Sequence, residues 1–265
     1  MTRILFIGDV VGRPGRAALR GHLPAIVAQH PADLVVANGE NAAGGFGLNR
    51  AVAEELFALG IDVLTLGNHA FDHEELAGFI SQEPRIVRPM NFRTDAPGTG
   101  VTTVRARSGA EVAVINAIGQ TFMGASYDSP FVALDSLLGE ACALPSIRLV
   151  DFHAEASSEK QALAWFLDGR VSAVLGTHTH VPTSDHRIMP KGTAYQTDVG
   201  MTGPFDSVIG MDAKIALMRF TSYRGKAFQV AKRNVWICGT YMHFDARGHC
   251  THIEPVQLRL PDAEN

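Results

Sequence analysis

The amino-acid sequence predicts an α/β fold in which two mixed sheets pack face to face, with helices on the outside. In the first third of the chain, short β-branched and apolar runs alternate with longer amphipathic stretches, the pattern of β-α units on a parallel sheet. Two alternating runs about Ser108-Gly109 indicate an antiparallel hairpin. The last third is mostly short strand-like runs and loops. Parallel and antiparallel pairing are both expected, within one domain that spans residues 1–265.

The three helices of the first third each have a local sequence signal. Gly60 ends the second helix. Pro24 either starts the main part of the first helix or kinks it, and Asp72 and Glu75 have the spacing of a capping box at the start of the third. The strands are RILFIGD, DLVVANGEN and DVLTLGNHA, and the helices are RAALRGHLPAIVAQH, RAVAEELFALG and HEELAGFISQ.

The rest of the chain continues the alternation and then turns to strand and loop. After the hairpin, FVALDSLLGEACAL and SEKQALAWFLDG predict helices, while SIRLVDFHAE and VSAVLGTHTH predict strands. The later segments GTAYQTD, IALMRFTS, FQVAKRNVWICGTYMHF and IEPVQLRL predict strands or loops. No repeat, low-complexity segment or linker interrupts the sequence, which favours a single domain.

The composition argues against several classes of protein. With 265 residues, of which 46% are hydrophobic and 19% charged, the chain is long enough to bury a large core. A net charge of −4 argues against a non-specific nucleic-acid or membrane binder, which would show a basic face. The three cysteines form no C-x-x-C pair and support neither a disulfide framework nor a cysteine zinc site. The first apolar run is too short for a signal peptide or a membrane span, so we expect a cytoplasmic protein.

The segment LGTHTHVPTSD places His178 and His180 two residues apart at the end of an apolar run. In an extended chain, residues two apart point to the same side, so both imidazoles would face one point and could hold a metal ion. A lone H-x-H is at least as often an ordinary polar strand end. The other strand ends decide between these two interpretations.

Polar side chains also follow other predicted strands, where an apolar run gives way to a Gly-rich or polar loop. In open α/β sheets, ligands bind at the carboxyl ends of the parallel strands, so these segments are expected to converge on one crevice. Taken singly, each residue has an ordinary structural role as a cap, a turn former or a core histidine. Five strand ends that all supply carboxylate, amide or imidazole groups predict a metal site. The candidate ligands are Asp9, Glu40, Asn41, Asn68, His153, His178 and His180.

The number of candidate ligands predicts two ions. One catalytic zinc would use three protein ligands and an open position, whereas seven ligands suit two ions that share a bridge. Glu40 is the expected bridge, because a carboxylate has two oxygens and its strand is expected near the middle of the set. Oxygen and imidazole ligands without thiolate fit iron, manganese and zinc about equally.

The strand-end motifs resemble those of a known enzyme family. GDVVG, GEN, GNHAFD, DFHAEASSEK and GTHTHVPTSD are similar to the calcineurin-like metallophosphoesterases, and more closely to the bacterial YmdB-type phosphodiesterase family, along essentially the whole chain. The general superfamily pattern is D-x-H, G-D, G-N-H-D/E, then H and G-H-x-H. Val11 stands where its first histidine would be, and Glu40-Asn41 stand where an Asp would bridge. Both departures agree with the YmdB-like subgroup, and DFHAEASSEK is the most specific stretch.

The resemblance implies a fold, a ligand set and an activity. The fold is the αββα sandwich with mixed parallel and antiparallel sheets, and the centre is di-iron or similar. The activity is hydrolysis of phosphodiesters, including 2′,3′-cyclic nucleotides. His69 is implied to stay uncoordinated beside the site. The first ion would take Asp9, Glu40, Asn41 and His180, and the second Glu40, Asn68, His153 and His178.

These assignments predict a mechanism in which two ions share a water and lower its pKa, so that the bridging hydroxide attacks phosphorus. His69, next to Asn68, is placed to give a proton to the departing ribose alkoxide. Glu155, Asp72 and Asp198 are candidates to orient the ligand imidazoles, and a helix cap is the alternative role for Asp72.

Other functions stay open at this point. The same centre would serve a nuclease or a phosphomonoesterase, and a metal-binding regulatory protein is the third hypothesis. RNA and a homo-oligomeric state are compatible with the sequence but not indicated by it. Candidates for contacts to a base or phosphate are Phe46, Phe122, Phe205 and Arg187.

Overall fold

The computed structural model describes residues 1–139, 142–223 and 226–261. The first part of the chain forms β1 (Thr2–Ile7), β2 (Asp9–Val10), α1 (Gly12–Gln29), β3 (Leu34–Asn38), α2 (Arg50–Ala58), β4 (Val63–Thr65) and α3 (Glu74–Phe79). The middle forms β5 (Ile86–Val87), β6 (Val101–Arg105), β7 (Glu111–Ile118), α4 (Pro130–Leu137), β8 (Ile147–His153), α5 (Ser157–Leu167) and β9 (Ala173–Thr177). The last part forms β10 (Arg187–Ile188), β11 (Ala194–Gln196), β12 (Met201–Pro204), α6 (Ala213–Thr221), β13 (Val235–Phe244) and β14 (Cys250–Arg259).

These strands form two mixed sheets. The first has the order β2-β12-β13-β1-β3-β4-β5, with β14 paired to β13, and its strands β1, β3, β4 and β5 run parallel. The second has the order β10-β11-β9-β8-β7-β6, in which β11, β9, β8 and β7 are parallel and both edge strands are antiparallel to their neighbours. The hairpin expected about Ser108-Gly109 is the pair β6 and β7. The predicted mixture of parallel and antiparallel strands is confirmed.

Successive side chains of a strand face opposite layers, and this alternation sets the packing. Leu5 of β1 clusters with Leu19 of α1, whereas the next residue, Phe6, clusters with Leu149 of β8 in the other sheet. The residue after Leu149, Val150, clusters instead with side chains of α4 and α5. All five are fully buried, and burying an apolar side chain of this size stabilises the fold by about 1.5–3 kcal/mol. The layers are helix, sheet, sheet, helix, so the predicted αββα sandwich is confirmed.

The last third differs from its prediction at two elements. IALMRFTS lies within helix α6, whose N-terminus is capped by Asp212, because its carboxylate accepts a hydrogen bond from the backbone N–H of Ile215 (3.0 Å). The strand expected over FQVAKRNVWICGTYMHF begins only at Val235. The helix expected over FVALDSLLGEACAL ends at Leu137, and residues 140–141 of that prediction lie outside the described residues.

At two signals in the first third, the structure contradicts one of the two alternatives for Pro24, that it starts the helix, and it contradicts the capping box. Helix α1 begins at Gly12, so Pro24 lies inside it and does not start it. Helix α3 begins after His73 without a side-chain cap, so Asp72 and Glu75 form no capping box.

No helix in the described part of the chain is both long and apolar enough to cross a bilayer. The cytoplasmic location and the extent of a single domain stay predictions.

Candidate metal centre

The seven candidate ligands lie together at strand ends from both sheets. Asp9 begins β2 directly after β1, Glu40 and Asn41 follow β3, Asn68 follows β4, His153 ends β8, and His178 and His180 follow β9. Asn68 and His178 are half-buried, and the others are buried. The arrangement follows from topology, because β1, β3 and β4 are parallel neighbours in one sheet and β8 and β9 in the other. Their binding of metal stays a prediction.

Glu40 belongs to two groups of ligand atoms. One group is Glu40, His153 and His178, the other is Asp9, Glu40 and His180, and the atoms within each group lie within 4.8 Å of one another. His153 Nε2 lies 3.1 Å from Glu40 Oε1 and 3.0 Å from Asn68 Oδ1. Asn41 Nδ2 lies 3.0 Å from Glu40 Oε1 and 3.1 Å from His180 Nε2. One asparagine thus adjoins each group.

The donor atoms of this centre fit a cation. Asp9 Oδ1 is buried and has no hydrogen-bond partner among the described residues, which is costly for a carboxylate oxygen that no cation or water satisfies. His178 Nδ1 lies 3.0 Å from His153 Nε2, a spacing at which both lone pairs can point at one ion. A Cβ atom on Gly67 would lie 2.3 Å from both Glu40 Oε2 and His153 Nε2. Only glycine at this position leaves these donors in place.

Hydrogen bonds on the outer nitrogens orient two of the imidazoles. His153 Nδ1 donates to Thr177 Oγ1 (2.9 Å), and that hydroxyl donates to Asp151 Oδ1 (2.7 Å). His180 Nδ1 donates to the carbonyl oxygen of Ile209 (2.8 Å). Each bond uses the outer ring nitrogen, Nδ1, so that Nε2 faces the centre, an arrangement that is usual around metal-binding histidines. Sequence reasoning missed Asp151 and Thr177, and the available signal was that Asp151 lies two residues before His153 on the same face of a strand.

The extended backbone expected for the H-x-H segment is not present. Strand β9 ends at Thr177, and His178 and His180 have φ angles of +97° and +66°. Residues other than glycine adopt this left-handed backbone conformation only uncommonly. Both imidazoles reach the centre, but through a tight loop instead of along one face of a strand.

A buried ion pair holds this loop. Lys160 Nζ donates to the carbonyl oxygen of Thr177 (2.8 Å) and to Asp198 Oδ2 (2.7 Å), and the same carboxylate oxygen accepts from the backbone N–H of Thr179 (3.1 Å). The pair thus fixes the backbone on both sides of His178. The expectation that Asp198 orients an imidazole is wrong, because its hydrogen bonds go to Lys160 and to backbone amides.

Of the other two candidates, Glu155 contacts the imidazole of a candidate ligand, whereas the expectation for Asp72 is wrong, because it contacts His69 instead. Glu155 Oε2 lies 3.2 Å from His178 Nε2, so this carboxylate faces the ring nitrogen opposite the one in the centre. Asp72 Oδ2 lies 2.8 Å from Nδ1 of His69, which is not one of the seven candidate ligands.

Burial and neighbouring charges shift the pKa values of the centre. Burial raises the pKa of Asp9 to about 7. Burial disfavours a charge on His153, but the Glu40 carboxylate outweighs it and raises the pKa of the imidazole to about 9. Burial and the charge on His153 lower the pKa of His178 to about 3. His178 is therefore neutral near pH 7, which is the form of imidazole that binds metal.

His69 lies at the edge of the centre, where it lines a cavity of about 280 Å³. Its backbone N–H donates to Glu40 Oε2 (3.2 Å). The ring of Phe46 contacts its imidazole edge to face, with centroids 5.0 Å apart. Because Asp72 faces Nδ1, the Nε2 atom is the ring nitrogen left for a bound substrate.

The structure places one of the four candidates for base or phosphate contacts at this cavity. Phe46 lines it. Phe205 instead stacks on Trp236 with centroids 4.7 Å apart, and Arg187 lies on the edge strand β10. Phe122 is exposed and is not among the lining residues. The expectations for Phe122, Phe205 and Arg187 are wrong for this cavity.

A comparison with protein families decides the identity of the chain. The model of the family described as YmdB-like protein matches residues 5–256. The chain belongs to the YmdB-like family. The resemblance carried by the strand-end motifs is confirmed, and the match includes all seven candidate ligands.

Individual relatives of this YmdB-like chain are similar along nearly the whole of it. It is 47% identical to the 2′,3′-cyclic-nucleotide 2′-phosphodiesterase of Bacillus subtilis strain 168, over 92% of this chain and 91% of the relative. A crystal structure of a hypothetical protein from Thermus thermophilus has a TM-score of 0.91 and 45% identity, over 98% of this chain and 100% of that one. A crystal structure of a novel phosphatase from Mycoplasma pneumoniae has a TM-score of 0.92 and 34% identity, over 98% and 94%.

Proposed function

We propose that this YmdB-like chain is a binuclear metal-dependent phosphodiesterase that hydrolyses 2′,3′-cyclic nucleotides. Its family and its relatives make it a hydrolase of phosphoester bonds. The Bacillus subtilis relative is named for 2′,3′-cyclic nucleotides, and its 47% identity over 92% of this chain supports the same substrate class. The observation that carries the proposal is the pair of ligand groups that share Glu40.

The residues of the centre would hold two transition-metal ions. Iron is the metal we propose, and manganese and zinc are the alternatives that oxygen and imidazole donors also accept. Two such ions supply an activated water and neutralise charge on the phosphoryl oxygens. One would bind Asp9, Glu40, Asn41 and His180, and the other Glu40, Asn68, His153 and His178.

In this proposal His69 gives a proton to the leaving ribose oxygen, which departs poorly as an alkoxide. Its ring is oriented by Asp72 at 2.8 Å. The side chain is partly exposed and lines the same cavity as Glu40 and His178. It can reach a bound phosphodiester without displacing a ligand.

The variant His69→Gln tests the proton donor. General acid catalysis contributes about 10²–10⁴ in rate, so we expect a loss of that size on 2′,3′-cyclic AMP with metal content unchanged. The loss should shrink on bis(4-nitrophenyl) phosphate, because nitrophenolate departs without a proton. An equal loss on both substrates would indicate a positioning or electrostatic role, and a loss of metal would make His69 a ligand.

Two measurements test the rest of the proposal. One is metal analysis of active protein, and the other is a screen of cyclic mononucleotides, phosphomonoesters and oligoribonucleotides. We expect two ions per chain and turnover of the cyclic mononucleotides. Full activity with one ion would contradict the binuclear centre. Turnover of oligoribonucleotides alone would identify a nuclease, and turnover of no substrate would favour a metal-binding regulatory protein.

A further inference from the structure

The cavity beside the metal centre has a second, apolar set of lining residues. This apolar wall consists of Phe46, Ile209, Met211, Phe220 and Phe228. It adjoins the centre directly, since the carbonyl oxygen of Ile209 accepts the hydrogen bond from His180 Nδ1. Phe220 comes from α6, the helix that the sequence pattern did not predict.

The apolar wall is open to solvent and is held in place by a cation. Phe220 is 84% exposed and Ile209 is 53% exposed. Large apolar side chains exposed together beside a polar centre usually mark a binding surface. The guanidinium of Arg219 lies 3.9 Å from the centroid of the Phe228 ring, and it also donates to the carbonyl oxygen of Lys226 (3.1 Å). Arg219 thus fixes the ring of Phe228 and the chain that leads to it.

We infer that the apolar wall binds the nucleobase of the substrate by stacking, while the phosphodiester lies at the metal centre. This inference rests on the proposed function. The rings of Phe46 and Phe228 lie 6.3 Å apart and are tilted by 41°, so they present aromatic surface to one space. The cavity of about 280 Å³ is just below the range of small-molecule sites, about 300–1,000 Å³, so it suits a ligand no larger than one nucleoside.

The wall selects for the presence of a base and not for its identity. Among the described residues that line the cavity, the polar ones besides Arg219 are His69 and four candidate metal ligands, so these residues offer few groups to read the edge of a base. Stacking tolerates every base, because each has a π face, and it is worth about fivefold to 150-fold in affinity per base. Ribonucleoside 2′,3′-cyclic phosphates of all four bases are the expected substrates.

The variant Phe228→Leu tests the base site with two five-membered cyclic phosphodiesters. One is 2′,3′-cyclic AMP, and the other is glycerol 1,2-cyclic phosphate, which lacks a base. We expect the variant to raise KM for 2′,3′-cyclic AMP by about fivefold to 150-fold, with kcat retained. Its kcat/KM on glycerol 1,2-cyclic phosphate should be unchanged. Trp165→Leu is the matched control, because Trp165 is an exposed aromatic residue of α5 outside the cavity lining.

The outcomes separate the base site from the proposed function. An equal loss on both substrates would give Phe228 a structural role and overturn the base site. Equal kcat/KM of the wild type on the two substrates would overturn it as well. Both results leave a working phosphodiesterase. Failure of the wild type on every cyclic phosphodiester would overturn the proposed function, and the base site with it.

Discussion

The variant Lys160→Met removes a buried charge and leaves its partner behind. The side chains of Lys160 and Asp198 are each 1% exposed, and the ammonium group also donates to the carbonyl oxygen of Thr177. Methionine fills much of the space of the lysine stem, so the packing of α5 is largely kept. The carboxylate of Asp198 and the carbonyl oxygen of Thr177 each lose the hydrogen bond from the ammonium group.

The structure sets the size of the expected loss. Removing one partner of a buried ion pair costs about 3–5 kcal/mol, because an uncompensated charge stays buried. Asp198 keeps hydrogen bonds from the backbone N–H groups of Thr179 (3.1 Å) and Gly200 (2.8 Å), which places the loss near the lower end. At about 2–4 °C per kcal/mol for a chain of this size, the melting temperature should fall by roughly 6–12 °C.

Thermal and urea unfolding followed by circular dichroism measure this loss. Arg93→Met is the matched control, because the Arg93–Asp95 pair is largely exposed and solvent screens it, so its midpoint should not move. The double variant Lys160→Met with Asp198→Asn removes the abandoned charge, and it should lose less than the sum of the two single losses. A midpoint for Lys160→Met within about 2 °C of the wild type, or additive losses in the double variant, would refute the reasoning.

Three further predictions concern the centre, with metal content measured by elemental analysis. Gly67→Ala should weaken metal binding by more than about tenfold, because its Cβ would lie 2.3 Å from two donor atoms. The control Gly78→Ala, whose Cβ would have no atom within 4 Å, should bind metal normally. Equal metal content in the two variants would contradict the proposed metal site. His178→Ala and His180→Ala should each lose a different ion, since they belong to different ligand groups; full metal content in either would exclude that histidine as a ligand. Glu40→Gln should lose most activity and at least one ion, and a fully loaded, active variant would exclude the bridge.

The positions of the candidate ligands could be predicted because one topological rule covers them. Apolar runs in the sequence locate the strands, and parallel strands bring their carboxyl ends together. Polar residues such as Asp9, Glu40 and His153 therefore meet, although they are far apart in the chain. The rule needs the order and direction of strands and no side-chain detail, so a single sequence was sufficient.

The parts that were wrong depend on contacts between distant segments or on ambiguous local signals. The left-handed backbone of His178 is held from α5 and from Asp198, and no local pattern reports those hydrogen bonds. The apolar run of α6 is short, and its period favours neither helix nor strand. Its capping residue, Asp212, was a usable signal that the apolar run outweighed.

The block DFHAEASSEK holds one candidate ligand and also the side chains that orient candidate ligands. Asp151 and His153 lie two apart on β8, so they share a face, and Asp151 orients the imidazole through the Thr177 hydroxyl. Glu155 follows the strand and contacts the first imidazole of the H-x-H segment. Lys160 lies in the first turns of α5 and binds the backbone that carries that segment. A chain with the same seven candidate ligands but without Asp151, Glu155 and Lys160 would keep the donor atoms and lose the contacts that orient them. The ligand set alone therefore does not specify the centre.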